Sequence, residues 1–371
     1  MKIEVPGSGP YSSKVMIVGE APAKNEIETG KNFIGASGDI LFEALSEHKL
    51  NRYNLYITNV FKVRLPGDDV KRVGEILSKD EIDEQIRFLH LEVKTINPNV
   101  ILALGNTALA ALTGKTKIGG TGILKWRGSI LRGITGHKVI PTIHPAAFIQ
   151  RSESKELFSW KQMIFLRFDI NRAVEESTTP AILLPKRNIV IARRSYDLYS
   201  FLRRYEGRDK VANDIETYRG MPICTGFAFS KDEAIAVPLF DMRGPGNTSI
   251  LIPRHERIQM WRLVAELLSS NIRKIGQNYD FDMTIQDRFG LKVNEFYSDT
   301  ILKTAVLFPE LPKSLGVLTS LFTREPYYKD EGREYNPIKD PPERLLRYMC
   351  VDAMVTYEID EFLERELDLC H

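Results

Sequence analysis

Residues 14–22 read KVMIVGEAP: four apolar side chains in a row, then Gly19 and, after two residues, Pro22. A short apolar run closed by turn residues predicts a buried strand followed by a functional loop. The same alternation continues outward from it. GDILFEALSEHKL (38–50) is amphipathic and helical, LYITNVFKV (55–63) is β-rich, and DEIDEQIRFLHLEVKTI (80–96) is a charged helix. VILALG (100–105) is a second buried strand, and NTALAALTG (106–114) is a helix with Asn106 or Thr107 near its start and Gly114 after its end. HKVIPTIHP (137–145) is a strand that stops at a proline. Strands alternating with helices predict an α/β class, with a parallel or mixed sheet covered on both faces. The loops after the strands' carboxyl ends are then the default ligand site.

At roughly 150 residues per domain, 371 residues suggest about two to three domains. The best linker candidate is AVEESTTPAILLPKR (173–187), where a helix ends among small polar residues and two prolines. This places one domain at 1–175, a linker at 176–186 and a second domain at 187–371. In the second, NIVIARR (188–194) reads as a strand and YDLYSFLRRYEG (196–207) as a helix. KVANDIETYRG, ICTGFAFS and AIAVPLF form a three-stranded meander between 210 and 240, and helices dominate from RHERIQMWRLVAELLSS (254–270) to the end. No internal repeat is present.

Lys and Arg total 51 and Asp and Glu 49, a formal charge of +2. This excludes a polybasic protein that binds through bulk charge. With 43% hydrophobic and 27% charged residues the composition is that of a globular chain. Residues 1–180 hold 24 basic and 20 acidic side chains; the remainder holds 27 and 29. The three cysteines, Cys224, Cys350 and Cys370, are too few and too widely spaced for a disulfide scaffold and suggest a reducing compartment. No apolar run approaches the length of about 18 residues that spans a membrane. MKIEVPGSGPYSSK has no apolar signal core. A cytoplasmic location is the expectation.

In ANDIETY, Asp214 and Glu216 stand two apart in a strand, so both carboxylates share a face. Beside a core they repel unless a cation sits between them, and Mg²⁺ or Mn²⁺ is the natural oxygen-preferring candidate. Alone, such a pair is more often an ordinary solvated one. GQNYDFDMTIQDRFGL puts Asn278, Asp280 and Asp282 at the head of a helix, where capping and the helix dipole also explain acids. In LLRYMCVDAMVTYEIDEFL, Tyr348 and Asp352 lie one turn apart and border the apolar face of Leu345 and Val355.

DIET, NYDFD and YMCVD, in that order, resemble the three exonuclease motifs of family A DNA polymerases. SLGVLTSLFTREPYYKDEG between the last two is similar to the same stretch in phage polymerases of that family. The resemblance covers about residues 186–371. It implies a ribonuclease-H-like 3'-5' exonuclease domain in which Asp214, Glu216, Asp282 and Asp352 hold two metal ions. It implies that Tyr348 orients the attacking water, and gives support roles to Asn278 and Asp299. Two such ions stabilise both the attacking and the leaving oxygen of phosphodiester hydrolysis. In these polymerases a polymerisation domain follows. Nothing here looks like its palm motifs, and LERELDLCH ends inside a continuing helix. A polymerase domain or polymerase subunit is therefore an expected partner, and this stretch itself is not expected to synthesise DNA.

In the first half, the Gly spacing of GKNFIGASGDIL lets backbone approach a ligand around Phe33, which is otherwise a plain core residue. Asn59 in TNVFKV offers a bidentate amide to a pyrimidine edge, or caps a turn. His144 in TIHPAAF ends a strand before a proline, a place where lone histidines are more often structural. Taken together, over roughly residues 12–170, the set is similar to the uracil-DNA glycosylase superfamily, closest to its family 4. That family's pattern runs GE(A/G)PG, PFVG, TNVVKCRPP and an HP motif. The resemblance implies an α/β/α sandwich in which Phe33 stacks on a flipped base and Asn59 reads its Watson–Crick edge. It also implies that His144 stabilises charge developing on the pyrimidine O2, and that Glu20 positions or activates water. Base extrusion is what such chemistry requires, since the glycosidic bond is inaccessible in a stacked duplex.

Three departures stand against the pattern. Family 4 enzymes carry an iron–sulfur cluster on four cysteines, whereas residues 1–184 contain none, and Val63 takes the place of one of them. No iron–sulfur cluster is expected, because thiolates are its ligands. Ala23 replaces the last Gly of GEAPG, and Asn32 replaces the Pro before Phe33. The arm before KVMIVGEAP is short, which removes the usual upstream cysteine pair. Two expectations stay open: a live glycosylase fused to a live exonuclease, or a DNA-binding, uracil-sensing module joined to an exonuclease that acts alone. DNA is the substrate in both, with no membrane.

Overall fold

The computed structural model describes residues 3–149 and 156–369, so Cys370 lies outside the described residues. The chain divides into two units, Met1–Leu184 and Pro185–His371.

The first unit contains strands β1 (Val15–Gly19), β2 (Tyr56–Asn59), β3 (Val100–Leu104), β4 (Leu131–Arg132) and β5 (Lys138–Thr142). Its helices are α1 (Lys24–Thr29), α2 (Ala36–Ser46), α3 (Lys79–Ile96), α4 (Gly105–Thr113), α5 (Ile123–Trp126) and α6 (Glu156–Glu176). The sheet order is β2-β1-β3-β5-β4, parallel except for β4 against β5. Every residue of β1, β3 and β5 is buried, because their alternate side chains feed two separate cores. Met16, Val18, Ile101 and Ala103 pack with Leu89 and Val93 of α3 and Leu109 of α4. Val15, Ile17, Val100 and Leu102 pack on the other face with Leu41 and Leu45 of α2 and Ile170 of α6. The result is an α/β/α sandwich. Gly114, in the left-handed region at φ 67°, ends α4 where a C-terminal glycine was expected. Beyond α6 the chain stays on this unit: Lys138 Nζ donates to Glu176 Oε2 at 2.6 Å and to Thr179 O at 2.9 Å.

The second unit contains β6 (Asn188–Ile191), β7 (Lys210–Tyr218), β8 (Met221–Ala228), β9 (Glu233–Pro238), β10 (Arg273–Gly276) and β11 (Phe296–Asp299). Its helices are α7 (Ser195–Arg204), α8 (Arg254–Ser269), α9 (Tyr279–Arg288), α10 (Thr300–Leu307), α11 (Leu315–Phe322), α12 (Asp330–Arg333) and α13 (Pro342–Leu369). The order is β11-β10-β7-β8-β9-β6, with an antiparallel β7-β8-β9 meander flanked by parallel strands. The meander is the one expected. Helices dominate after residue 254 as expected, but β10 and β11, absent from that reading, extend the sheet. RKIG carries two basic residues, yet Lys274 is fully buried with its Nζ donating to Ser270 O at 2.6 Å. FYSD ends in two polar residues whose burial depends on distant partners, Ser298 Oγ donating to Asp360 Oδ1 at 2.6 Å. Neither strand shows an apolar run, so local pattern misses both.

α13 lies across β7, β8 and β9. Its placement is pinned by a buried charge cluster. Asp360, with no exposed surface, accepts from Lys303 Nζ at 2.6 Å and pairs with Lys210 Nζ of β7 at 3.3 Å. No helix among the described residues is long and apolar enough to cross a membrane.

Candidate active sites

Three strands and the loop after β5 end on one cavity of about 660 Å³ in the first unit. Glu20, Phe33, Asn59 and His144, separated by up to 124 positions in sequence, all line it. The Phe33 and His144 ring centroids are 6.0 Å apart at 30°. Phe33 belongs to the core and to the cavity wall at once, being 5% exposed. Gly19 makes this packing possible. A Cβ there would lie 2.3 Å from Asn59 Oδ1 and 2.5 Å from the Phe33 ring.

Phe33 sits in the left-handed region at φ 55°, a costly conformation for a bulky residue. Two side chains from elsewhere hold it. Glu26 accepts the backbone N–H of Ala23 at 2.5 Å and that of Phe33, while Arg52 donates to Asn32 O at 2.7 Å and to Phe33 O. Burial pushes the Glu26 carboxyl up, against these hydrogen bonds. His144 Nδ1 accepts the Ala146 N–H at 3.1 Å, which leaves the ring proton of a neutral imidazole on Nε2. Burial pushes its pKa down to about 4, so the ring is neutral at pH 7. Glu20 accepts the Thr107 hydroxyl, and burial raises its pKa above the usual range. Asn59 is 1% exposed; its amide donates to Asn32 Oδ1 at 2.8 Å and caps no turn. Val63 is a core residue.

In the second unit the period-2 pleat of β7 puts Asp214 and Glu216 on one face, and α13 brings Asp352 to it. Carboxylate oxygens of these three lie within 4.8 Å of one another. Asp282, in the first turn of α9, stands beside them because its Oδ1 accepts the Ile215 N–H at 3.0 Å. Burial, then the charges of Asp282, Asp352 and Glu216, push Asp214 well above the carboxylate range. Burial and Asp352 raise Glu216 to about 7, and burial first of all raises Asp282 to about 8. Asp214 Oδ2 is buried without a hydrogen-bond partner. Four crowded carboxylates and an orphaned oxygen fit a hard divalent cation, which prefers oxygen donors and offsets the repulsion.

Asp352 is held by Lys329 Nζ at 2.5 Å and by the Tyr328 hydroxyl at 2.6 Å. Tyr348 is 6% exposed, and its ring centroid lies 5.8 Å from that of Tyr328. Gly332 leaves the space its ring fills, since a Cβ there would approach it to 2.4 Å. Asn278 adopts φ 57° and its side chain makes no capping bond. The cap comes instead from Asp299, which accepts the N–H groups of Asn278 at 3.1 Å and Tyr279 at 2.8 Å. Asn278 and Asp280 are exposed.

Sequence reasoning did not single out Glu26, Arg52, Thr107, Tyr328 or Lys329. Glu26 reaches back to the Ala23 N–H as the acid of a capping box does, but Ala23 has no side-chain oxygen, so the sequence shows no capping-box signature. Tyr328 and Lys329 lie in the quoted YYKDEG, but only the fold shows that they reach Asp352.

Residues 6–164 match the uracil DNA glycosylase superfamily, and residues 189–368 match the 3'-5' exonuclease family. A type-4 uracil-DNA glycosylase of Thermotoga maritima is 37% identical over 153 residues, 41% of this chain and 74% of that protein. A DNA polymerase of Bacillus phage SP01 is 25% identical over 241 residues, 63% of this chain and 24% of that polymerase. The chain thus spans about a quarter of the polymerase's length, and the match is longer than the second unit alone. The catalytic core of RRP6 from Trypanosoma brucei has a TM-score of 0.39 at 17% identity, covering 51% of each chain.

Proposed function

The chain belongs, through residues 6–164, to the uracil-DNA glycosylase superfamily and carries a 3'-5' exonuclease domain in its second unit, and we propose from this premise that it is a DNA-processing enzyme with two separate hydrolytic sites. The domains are 1–175 and 187–371, joined by 176–186. The second unit removes nucleotides from DNA 3' ends, the proofreading step of replication by a phage-type family A polymerase whose polymerising part is a further domain or subunit. The first unit takes a flipped uracil and excises it, a repair step.

The observation that carries the exonuclease reading is the orphaned Asp214 Oδ2 inside the carboxylate cluster. Asp214, Glu216, Asp282 and Asp352 would hold two Mg²⁺ or Mn²⁺ ions. Bound there, the ions supply charge neutralisation to the attacking and leaving oxygens of the phosphodiester. The chain's own residues prepare the site. Tyr348, packed against Tyr328 one helical turn from Asp352, borders it and orients the attacking water. Lys329 limits the repulsion that Asp352 adds. The buried network of Asn213, which accepts from Tyr279 and Gln286 at 2.8 Å each, fixes β7 against α9. Ala replacement of both Asp214 and Glu216 is expected to abolish divalent-dependent degradation of single-stranded DNA; persistent degradation sinks the assignment.

For the first unit the supporting observation is the convergence of Phe33, Asn59, His144 and Glu20 on one cavity. Phe33 stacks on the base and Asn59 pairs with its edge. His144 acts as a neutral donor toward charge developing at O2, its low pKa keeping the proton where an electrostatic stabiliser needs it. A second reading is favoured by Glu20. Its carboxyl is raised by burial and already accepts the Thr107 hydroxyl, which suits a uracil-binding module without hydrolysis. Excess protein with a single-uracil oligonucleotide under chelation separates the two. Alkali-labile abasic sites are expected. Uracil-dependent binding without them selects the second reading.

A further inference from the structure

Asn32 stands behind the cavity wall with no exposed surface. Three of its polar groups are engaged with parts of the chain far apart in sequence. Nδ2 donates to Pro6 O at 2.8 Å, Oδ1 accepts from Asn59 Nδ2 at 2.8 Å, and the backbone O accepts from Arg52 at 2.7 Å. We propose that Asn32 is a positioning residue that locks the Asn59 amide in one orientation, so that the cavity accepts uracil and rejects cytosine. This rests on the reading of the first unit as a uracil-excising site.

The argument is one of hydrogen-bond polarity. A backbone carbonyl can only accept, so Pro6 O fixes the Asn32 amide with its nitrogen outward and Oδ1 toward Asn59. That oxygen can only accept as well, so the nitrogen of Asn59 must face it. Pro6 cannot drift, because the arm carrying it is pinned to β2 and the segment after it. Val5 N donates to Lys62 O at 2.7 Å, and Ser8 and Ile57 exchange bonds of 2.9 and 2.8 Å. One N–H of Asn59 is consumed in this way. Its Oδ1 and second N–H remain, and Oδ1 has no hydrogen-bond partner among the described residues. An acceptor beside a donor matches the N3–H and O4 of uracil. Cytosine presents an acceptor at N3 beside the N4 amine, which pairs only with a flipped amide. Flipping Asn59 would set its oxygen against that of Asn32 in a buried place, and flipping both would set Asn32 against Pro6 O. The Pro of the family 4 pattern has no side-chain polar atom with which to form this relay, so the lock is specific to a chain with Asn at this position.

The test is single-turnover excision from uracil and cytosine oligonucleotides by the full chain under chelation. N32L removes the acceptor, and N32D keeps it as the neutral acid, whose hydroxyl can still donate to Pro6 O while the other oxygen accepts from Asn59. N32L is expected to lower the uracil rate about tenfold, the loss of one buried hydrogen bond, and to shrink the uracil-over-cytosine preference. In an N59A background N32L should change the rate less than about twofold, because Asn32 acts through Asn59. N32D should keep the preference, and it decides the matter if N32L fails to fold. The inference is overturned if N32L slows N59A as much as the wild type, if N32L leaves rate and preference intact, or if N32D loses the preference. A wild-type chain that excises no uracil sinks the excision reading itself, which separates that failure from this one.

Discussion

The two sites solve opposite electrostatic problems. In the first unit the candidate polar residues are neutral or bonded within the chain: His144 is held uncharged, Glu20 is bonded to Thr107, and Asn59 is tied to Asn32. On the proposed reading that site is complete as folded and needs only a base. In the second unit Asp214, Glu216, Asp282 and Asp352 are crowded until their own charges work against them, and one buried oxygen is left unpaired. On the proposed reading that site is completed by cations. One chain therefore carries a preorganised pocket in one unit and, in the other, a site that trades stability for chemistry.

The comparison breaks most visibly through activity. Asp214→Ala should lower exonuclease turnover on the order of a thousandfold or more, while uracil excision under chelation stays at the wild-type rate. The reciprocal change, His144→Leu, should cost about a hundredfold in excision, the usual scale for removing one preorganised donor. Exonuclease activity should be untouched. Gel-resolved kinetics on both substrates check the pair, and a loss of both activities in either variant contradicts separate sites.

Next in size is a structural effect confined to the second unit. Asp360→Ala would leave Lys210 and Lys303 with Glu364 alone and Ser298 Oγ without its acceptor, and should destabilise that unit by about 1–3 kcal/mol. Denaturant unfolding followed with probes in each unit would read it. An equal shift in the first unit would argue against the division.

The smallest effects are in pH. Carboxyl groups raised to about 7 at Glu216 and about 8 at Asp282 keep protons that the unfolded chain has released. Without cations, the stability they contribute is fully present only below about pH 4 and is lost as pH rises from there through 7 to 8. Added Mg²⁺ should restore it at pH 8 and weaken in effect on acidification, since protons compete for the same oxygens. His144 has the opposite sign. Its pKa is depressed to about 4, so the unfolded chain takes up a proton first, and its contribution is lost as pH falls from about 6.5 toward 4. Melting curves of the wild type and His144→Gln across this window isolate that term. A difference between them that does not grow on acidification would contradict it.

How much of this was legible depends on how local the cause is. β1 and β3 announce themselves because residues buried on both faces must all be apolar. The placement of Asp214 with Glu216, and of Tyr348 with Asp352, follows from the periods of strand and helix. β10 was illegible because Lys274 is buried by a bond to Ser270, which an apolar pattern cannot represent. The Asn32 relay was illegible for the same reason. As a sequence feature it was only a missing proline, and its meaning comes from Pro6 and Asn59, 26 and 27 residues away. The carboxylates could be named from motifs, but the orphaned oxygen that argues for a cation appears only once three elements meet.

The central claim, one cation-independent site and one cation-requiring site in a single chain, is tested most directly with one oligonucleotide carrying an internal uracil and a 3' label. The wild-type chain is incubated with it under chelation and again with Mg²⁺. Abasic sites in both conditions, with loss of the 3' label only when Mg²⁺ is present, are the predicted result. Label loss under chelation, or uracil excision that requires Mg²⁺, would contradict it.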